Sequence, residues 1–229
     1  MENQLVSDPV QKVVRRLGSH SAAGTNDMPD ILQRSSSVIL VDDSAGVCEA
    51  VSLLLKTVNL DTRVYSNPTL FMEASINDSG CILLDVRMPE MSGLEVFRQL
   101  RERGVEIPVI FMTGHGDVAM AVRVMRSGAF DFLEKPVDDQ VLIDSVLEAL
   151  SVDAERRERV QRKLASRSLL DRLTPRELEI AHLLVEGAST RGIAERLALS
   201  VRTIEGYRSR LMIKLEITSL TRLVEMLQV

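Results

Sequence analysis

Residues 81–93 read CILLDVRMPEMSG, a short apolar run that ends on an aspartate and continues into a loop containing Pro89 and Gly93. The run at 81–84 is typical of a strand buried on both faces, as found in parallel sheets. In an open α/β sheet, ligands bind in the crevice at the carboxyl ends of the strands. Asp85 is therefore in a position for chemistry, although an aspartate after a strand is more often a helix cap.

The same pattern recurs throughout residues 36–150, where apolar runs alternate with segments of helical period. Strands are predicted at 38–41, 62–65, 81–84, 108–112 and from 131, and a helical segment follows each of them. Five strand–helix units of this length predict an α/β fold with a doubly wound, five-stranded parallel sheet.

Polar residues follow four of these predicted strands: Asp42 and Asp43, Asp85, Thr113, and Lys135. They should converge at one edge of the sheet. Crowded carboxylates favour a hard divalent cation with oxygen ligands, usually Mg²⁺. With a metal and a lysine present, a carboxylate can attack a phosphoryl group, and a threonine hydroxyl can hydrogen-bond a phosphoryl oxygen. Helix caps and an ordinary ion pair would explain each residue singly, but the ordered set favours an aspartyl-phosphate site.

Four blocks of the sequence resemble the receiver domain of two-component response regulators. They are VDD at 41–43, LDVRMP at 84–89, TGHGD at 113–117 and LEKP at 133–136, and the last two are especially similar to the FixJ branch. The resemblance implies a flavodoxin-like receiver in which Asp85 accepts a phosphoryl group from a sensor histidine kinase. Lys135 would contact that group, and the Lys135–Pro136 bond would be cis.

The resemblance also implies a metal site and a switch. Mg²⁺ would be bound by Asp85 and Asp43, by Asp42 through water, and by the backbone carbonyl of Arg87. Thr113 and Phe132 would form the switch pair that senses the phosphoryl group. For Phe132, a role as a plain core aromatic has nearly equal weight, and His115 is expected to be an ordinary loop residue.

Composition divides the 229 residues into regions of different charge. Residues 36–150 carry a net charge of −9 and residues 151–229 a net charge of +4, whereas residues 1–35 are neutral. The net positive charge of residues 151–229 favours nucleic acid as a binding partner. The two cysteines form no metal or disulfide spacing, and neither a membrane-length apolar run nor the apolar core of a signal peptide is present. A soluble protein of the cytoplasm, without membrane partners, is expected.

Two regions flank the predicted receiver. Residues 1–35 are rich in Ser, Asn, Asp, Gly and Pro and are predicted to be a disordered N-terminal extension; Met28 could be the true start. Residues 151–169 contain charged pairs at helical i,i+4 spacing and neither Gly nor Pro. They predict a charged helical linker, in which each pair stabilises the helix by about 0.2–0.5 kcal/mol. No heptad pattern is sustained, so a coiled coil is not predicted.

Residues 170–229 predict an all-α domain of four short helices. Thr174, Pro175 and Glu177 form a capping box for the first helix, and Ser189 and Ser200 can cap the second and third. A third helix over 201–215 carries Arg202, Arg208 and Arg210, which we expect to face outward. Two short helices joined by a tight turn, the second of them basic, favour a helix-turn-helix.

This region resembles the output domain of the LuxR, NarL and FixJ class, in LTPRE at 173–177, IAERL at 193–197 and SVRTIE at 200–205. The resemblance places residues 201–215 in the DNA major groove. Candidate phosphate contacts are Arg202, Thr203 and Arg210, and candidate base contacts are Glu205, Arg208 and Ser209. The sequence departs from the family pattern at Gly192, Gly206, Tyr207 and Glu216.

The sequence therefore predicts a phosphorylation-controlled transcription regulator. Phosphorylation would pair two receivers, and the dimer would bind two half-sites on double-stranded DNA, with RNA polymerase as a further partner. Apart from slow self-phosphorylation and autodephosphorylation at Asp85, no enzyme activity is expected. One alternative is a DNA-binding protein whose receiver is a constitutive interaction module. A metal-dependent phosphatase is a second alternative, although no substrate pocket or second nucleophile is visible.

Overall fold

The computed structural model describes residues 37–74, 76, 79–114 and 118–227. The predictions for residues 1–35 and for His115 lie outside these residues. The chain forms two compact units, the first ending at Arg156 and the second beginning at Arg157. In the described part of the chain, no helix has both the length and the apolar character needed to cross a membrane.

The first unit contains the predicted five-stranded parallel sheet. Its strands are β1 (Ser37–Val41), β2 (Thr62–Tyr65), β3 (Gly80–Asp85), β4 (Val109–Thr113) and β5 (Asp131–Glu134). The strand order is β2-β1-β3-β4-β5, and every pair is parallel. The order reverses between β1 and β3, so this is the point at which the fold opens a crevice for a ligand.

Five helices cover the two faces of the sheet. They are α1 (Ala45–Thr57), α2 (Pro68–Glu73), α3 (Gly93–Glu102), α4 (Val118–Arg126) and α5 (Asp139–Leu170). Helix α1 and the first part of α5, through Leu150, pack on one face, and α2, α3 and α4 pack on the other. All six residues of β3 are buried because β3 lies in the middle of the sheet with helices on both faces. The doubly wound α/β prediction is confirmed.

Helix α5 is held to the amino-terminal end of β3 by a buried carboxylate. Asp153 is fully buried, and its Oδ2 accepts a hydrogen bond of 2.8 Å from the backbone N–H of Gly80, the first residue of β3. Its Oδ1 accepts hydrogen bonds from Nε and Nη2 of Arg156, at 3.1 and 2.9 Å. Residues 151–156, which the sequence assigns to the linker, thus belong to the first unit.

The second unit contains the four predicted helices, α6 (Pro175–Val185), α7 (Thr190–Leu197), α8 (Val201–Lys214) and α9 (Leu220–Leu227). The capping box at Thr174 and Glu177 is complete, and the side chains of Ser189 and Ser200 cap α7 and α8. Each cap satisfies an amide that would otherwise lack a partner in the first helical turn. The helices enclose one apolar core.

Helix α8 is followed by Glu216, a residue in the left-handed region with φ of 56°. This is the position at which the sequence departs from the glycine usual in the family. A left-handed conformation costs a residue with a Cβ about 1–2 kcal/mol, whereas glycine avoids this cost. The Glu216 carboxylate accepts a hydrogen bond of 3.3 Å from Arg172, which gives a contact that glycine could not make.

Candidate functional site

The carboxyl ends of β1 and β3 bring two aspartates together. Asp42 directly follows β1, Asp85 is the last residue of β3, and both residues are buried, with 0% and 5% of their surfaces exposed. Because β1 and β3 flank the reversal of strand order, the two carboxylates lie at the crevice that this fold provides for ligands. The predicted convergence of Asp42 and Asp85 is thus present.

Lys135 joins the two carboxylates. Its Nζ donates hydrogen bonds of 2.5 Å to Oδ2 of Asp42 and 2.7 Å to Oδ1 of Asp85. The lysine follows β5 directly, and its own backbone N–H bonds to the carbonyl of Thr113 at 2.8 Å. The Lys135–Pro136 bond is cis, as the resemblance implies. A cation thus lies between the two acids.

Burial and charge set the protonation behaviour of the pair. Burial raises the pKa of Asp85, the charge on Asp42 raises it further, and the bonds from Lys135 and from the Arg87 amide only partly offset these effects. Burial opposes the charge on Lys135, but the two carboxylates outweigh it and leave the Lys135 pKa above its ordinary value. Asp85 is therefore a desolvated carboxylate held by a stable ammonium, an arrangement suited to a nucleophile.

Asp42 does not cap the following helix. Its Oδ1 accepts from the backbone N–H of Ser44 at 3.0 Å, and Ser44, the N-cap of α1, makes no side-chain cap bond. The carboxylate thus turns back over its own loop and towards Lys135. Of the alternatives left open by the sequence, the helix-cap explanation does not apply to Asp42.

The loop after Asp85 brings Gly93 very close to the backbone carbonyl of Asp85. A Cβ at Gly93 would lie 2.1 Å from the carbonyl oxygen of Asp85, so no larger residue fits without moving the strand end. The Gly93 N–H also bonds to the Val86 carbonyl at 3.0 Å. On the other side of the loop, the Arg87 N–H donates to Oδ2 of Asp85 at 2.9 Å. The Gly93 contacts thus fix the end of the strand, and the Arg87 bond orients the Asp85 carboxylate.

The described residues contain no group of three or more His, Cys, Asp or Glu side chains that could hold a metal by themselves. Asp42 and Asp85 are buried and share Lys135, whereas the side chain of Asp43 is exposed. This donor set still fits Mg²⁺, because Mg²⁺ is usually bound through one or two carboxylates and keeps several waters. Binding of the ion by Asp43, Asp85 and the Arg87 carbonyl, and by Asp42 through water, stays a prediction.

The predicted switch residues lie on neighbouring strands. Thr113 ends β4 and is buried, while Phe132 lies in β5, is half-buried, and pairs in register with Phe111. Phe132 also packs against the apolar cluster on the α2–α4 face. This packing accounts for an aromatic residue here by itself, so the switch role of the pair stays a prediction.

Helix α8 exposes four of the six side chains that the sequence predicts to contact DNA. Arg202, Glu205, Ser209 and Arg210 are exposed, and Thr203 is half-buried beside the Ser200 cap. Arg208 is also half-buried, because it lies four residues after buried Ile204 and three before buried Leu211, on the packed side of the helix. The expectation that all three arginines face outward thus holds for Arg202 and Arg210 but not fully for Arg208.

The two units match two protein families. Residues 38–147 match the response regulator receiver domain, and residues 171–227 match the bacterial regulatory proteins of the luxR family. The transcriptional regulatory protein TdiR of Thauera aromatica is 39% identical over 186 residues, which cover 81% of this chain and 82% of TdiR. FixJ of Azorhizobium caulinodans is 40% identical over 198 residues, covering 85% of this chain and 93% of FixJ. The chain is a two-component response regulator.

Solved structures agree with this assignment. The response regulator StyR is 34% identical, superposes with a TM-score of 0.76, and the match covers 84% of this chain and 98% of StyR. Full-length FixJ from B. japonicum is 30% identical with a TM-score of 0.51, covering 85% of this chain and 96% of FixJ. The response regulator therefore combines a receiver domain with a LuxR-type DNA-binding output domain.

A partly buried ion pair holds helix α8 of this regulator to α6. Nζ of Lys214 donates at 2.7 Å to Oε2 of Glu177, which also accepts from the backbone N–H of Thr174 at 2.8 Å. Lys214 and, to a smaller extent, Thr174 lower the pKa of Glu177 to about 2. The same carboxylate thus closes the capping box and positions the last turn of α8.

We expect the output domain to lose stability as the pH falls from about 4.5 towards 2. A carboxylate whose pKa is lowered in the folded state stabilises that state above its unfolded pKa and stops doing so on protonation. Because Lys214 is 37% exposed, solvent screening limits the loss to about 1–2 kcal/mol. Urea unfolding of the full-length chain, followed by NMR signals of the output domain at pH 7 and pH 3, measures it.

The control for this experiment is Glu179→Gln, which removes an exposed carboxylate paired with Arg176 on the same helix. Glu177→Gln should lower stability at pH 7 and flatten its dependence on pH, whereas Glu179→Gln should behave as the parent protein does. Equal pH dependence in the parent and in Glu177→Gln would show that this pair contributes nothing.

Sequence reasoning missed three features of these sites. The close approach of Gly93 to Asp85 involves a glycine that the sequence identified only as loop punctuation. The thiol of Cys48, whose pKa is raised by burial, donates to the Asp42 carbonyl at 3.3 Å. The outward side of α8 includes Ile213, and only the phase of the helix relative to its buried residues could have indicated this.

Proposed function

We propose that this response regulator is a phosphorylation-controlled transcriptional regulator in which Asp85 accepts a phosphoryl group from a sensor histidine kinase. The observation that carries the proposal is the bridging of two buried carboxylates at the strand-order reversal by Lys135. A structural ion pair needs only one acid for each base, whereas a phosphoryl-transfer site needs a nucleophile, a second acid for the metal and a cation.

In the proposed reaction, a carboxylate oxygen of Asp85 forms a bond to phosphorus while the P–N bond to the kinase histidine breaks and its electron pair returns to the imidazole. The Arg87 amide holds the attacking carboxylate in one direction, and the close approach of Gly93 fixes the backbone of Asp85 beneath it. Lys135 can then turn one of its hydrogen bonds to the phosphoryl oxygens. Mg²⁺, bound by Asp43, Asp85 and the Arg87 carbonyl and through water by Asp42, would neutralise charge on the transferred group.

Thr113 is proposed to follow the phosphoryl group once it is attached. Its hydroxyl would bond a phosphoryl oxygen, and Phe132 on the neighbouring strand would move inward with it. This shift would favour receiver dimerisation and so couple two weak half-site contacts on DNA into one stronger interaction. The regulator would work in the cytoplasm, where kinase, DNA and RNA polymerase are available, and would have no enzyme activity beyond its own slow phosphorylation and dephosphorylation.

Acetyl phosphate with Mg²⁺ tests this proposal directly. We expect the chain to gain the mass of one phosphoryl group and to shift towards a dimer, with tighter DNA binding as a result. Intact-mass measurement and analytical ultracentrifugation follow the two changes in the same sample. A chain that binds DNA equally well with and without the phosphodonor would favour the alternative, a constitutive receiver.

A further inference from the structure

The loop between β3 and α3 makes a strained turn at its tip, residues 89–91. Glu90 has a φ of 68°, in the left-handed region, and the Met91 N–H donates to the Pro89 carbonyl at 2.7 Å. A three-residue turn of this kind, with a positive φ at its centre, is rare and strained. Glycine adopts such a φ without the cost that a Cβ adds. The backbone at position 90 is therefore less stable with glutamate than it would be with glycine.

The Glu90 side chain connects this tip to the start of helix α2. Its Oε2 accepts hydrogen bonds of 3.1 Å from Nδ2 of Asn67 and of 3.1 Å from Oγ1 of Thr69. Asn67 is the N-cap of α2, and its Oδ1 accepts from the N–H groups of Thr69 and Leu70, at 2.7 and 3.2 Å. The cap thus fixes the Asn67 amide while its NH₂ group donates to Glu90. We call Glu90, Asn67 and Thr69 the loop bridge.

Stability does not explain the loop bridge. Glu90 is exposed, so its two hydrogen bonds replace bonds to water and add little to the free energy of folding. The strained φ of the same residue acts in the opposite direction. Strain of this kind is typical of functional loops, where it holds a geometry that the reaction needs.

The loop bridge holds the tip of the loop that begins after Asp85. The two ends of this loop are joined by the bond of 3.0 Å between the Gly93 N–H and the Val86 carbonyl. Arg87 lies between them, and its N–H donates to Oδ2 of Asp85 at 2.9 Å. The loop bridge ties the tip to α2. A loop held at its ends and at its tip leaves the Arg87 backbone little freedom to rotate.

We propose that Glu90 is a positioning residue for the phosphorylation of Asp85. By holding the loop tip against α2, it orients the Arg87 N–H, which holds the Asp85 carboxylate, and the Arg87 carbonyl, which would bind Mg²⁺. The inference rests on the proposed function, in which Asp85 and Mg²⁺ act together. A backbone that is fixed before Mg²⁺ arrives loses less entropy on binding it. Without the loop bridge, the loop should bind Mg²⁺ more weakly, whereas the transfer step at saturating Mg²⁺ should be almost unchanged.

Glu90→Ala and Glu90→Gly test this role, because both remove the carboxylate but only glycine relieves the strained φ. The receiver domain should therefore melt at a higher temperature in Glu90→Gly than in Glu90→Ala. In both variants, NMR should show the Arg87 amide of the metal-free chain exchanging its hydrogen about tenfold faster than in the parent chain. Half-maximal phosphorylation by acetyl phosphate should need about tenfold more Mg²⁺, with a maximal rate within about twofold of the parent's.

Two further variants serve as controls. Glu90→Gln keeps an acceptor oxygen in the loop bridge and should stay within about threefold of the parent chain in amide exchange and Mg²⁺ dependence. Glu73→Ala removes an exposed carboxylate at the end of α2 and should behave as the parent chain does. A merely structural role of Glu90 predicts instead that amide exchange and phosphorylation follow the melting temperature, so that Glu90→Gly is less impaired than Glu90→Ala.

The inference is wrong, and the proposed function stands, if Glu90→Ala matches the parent chain in amide exchange and Mg²⁺ dependence. It is equally wrong if Glu90→Gln is as impaired as Glu90→Ala, or if the variants follow the melting temperature. If the parent chain itself gains no phosphoryl group, the proposed function fails and the inference fails with it.

Discussion

The Asp85→Asn variant should gain no phosphoryl mass from acetyl phosphate and Mg²⁺ under conditions in which the parent chain is modified to a large extent. The amide lacks the anionic oxygen that attacks phosphorus, while it keeps the size of the side chain and the hydrogen bond from the Arg87 amide. We therefore expect a folded protein whose dimerisation and DNA affinity no longer respond to the phosphodonor. Intact-mass measurement and sedimentation with and without acetyl phosphate provide the readouts.

Asp61→Asn is a suitable control for this variant because Asp61 is an exposed carboxylate just before β2. It should be phosphorylated and should dimerise as the parent chain does. If Asp85→Asn still gained one phosphoryl group, another side chain would be the acceptor. If it gained none but dimerised on addition of acetyl phosphate, dimerisation would be unconnected to this site.

Replacing Arg202 and Arg210 together by alanine should weaken DNA binding by about one to two orders of magnitude at moderate salt. Each proposed phosphate contact releases counterions, so its loss also lowers the slope of log affinity against log salt by about 0.9. The effect should be nearly the same for different DNA sequences, because phosphates carry no base information. Gel-shift or anisotropy titrations over a range of salt concentrations measure both quantities.

Arg222→Ala distinguishes loss of a contact from loss of net charge. Arg222 is an exposed arginine of α9 that pairs with Glu225, so its removal changes the charge of the output domain without touching α8. We expect a small drop in affinity and an unchanged salt slope. A slope that is unaffected in the Arg202 and Arg210 double variant would remove these residues from the phosphate-contacting surface.

Local signals in the sequence were sufficient to predict the sheet and the core of the candidate site. Residues 81–84 are apolar at every position, a pattern that a central strand needs, and the parallel arrangement then brings the residues at the strand ends together. Asp42, Asp85 and Lys135 meet for this reason. The caps of α6, α7 and α8 were also predictable because a cap depends on residues only three positions apart.

Features that depend on contacts distant in sequence were not predicted. The environment of Asp43 depends on how its loop turns, and nothing in the VDD block distinguishes exposed Asp43 from buried Asp42. Half-burial of Arg208 follows from the phase of α8, since a change of one residue rotates a side chain by about 100°. Asp153 looked like one more charge in a solvated helix, because its partner Gly80 lies 73 positions earlier.

The Asp153 contact determines where the domains of such regulators can be joined in chimeras. The buried N–H of Gly80 depends on a carboxylate that lies beyond the last core residues of α5, and a buried amide without a partner costs about 1–3 kcal/mol. A chimera joined just after Leu150 would replace Asp153 by the residue of another protein. The backbone N–H of Gly80, the first residue of β3, would then lose its hydrogen-bond partner. Chimeras that exchange the output domain should therefore keep the receiver sequence through Arg156. The junction then lies beyond Asp153, and the Gly80 amide keeps its partner.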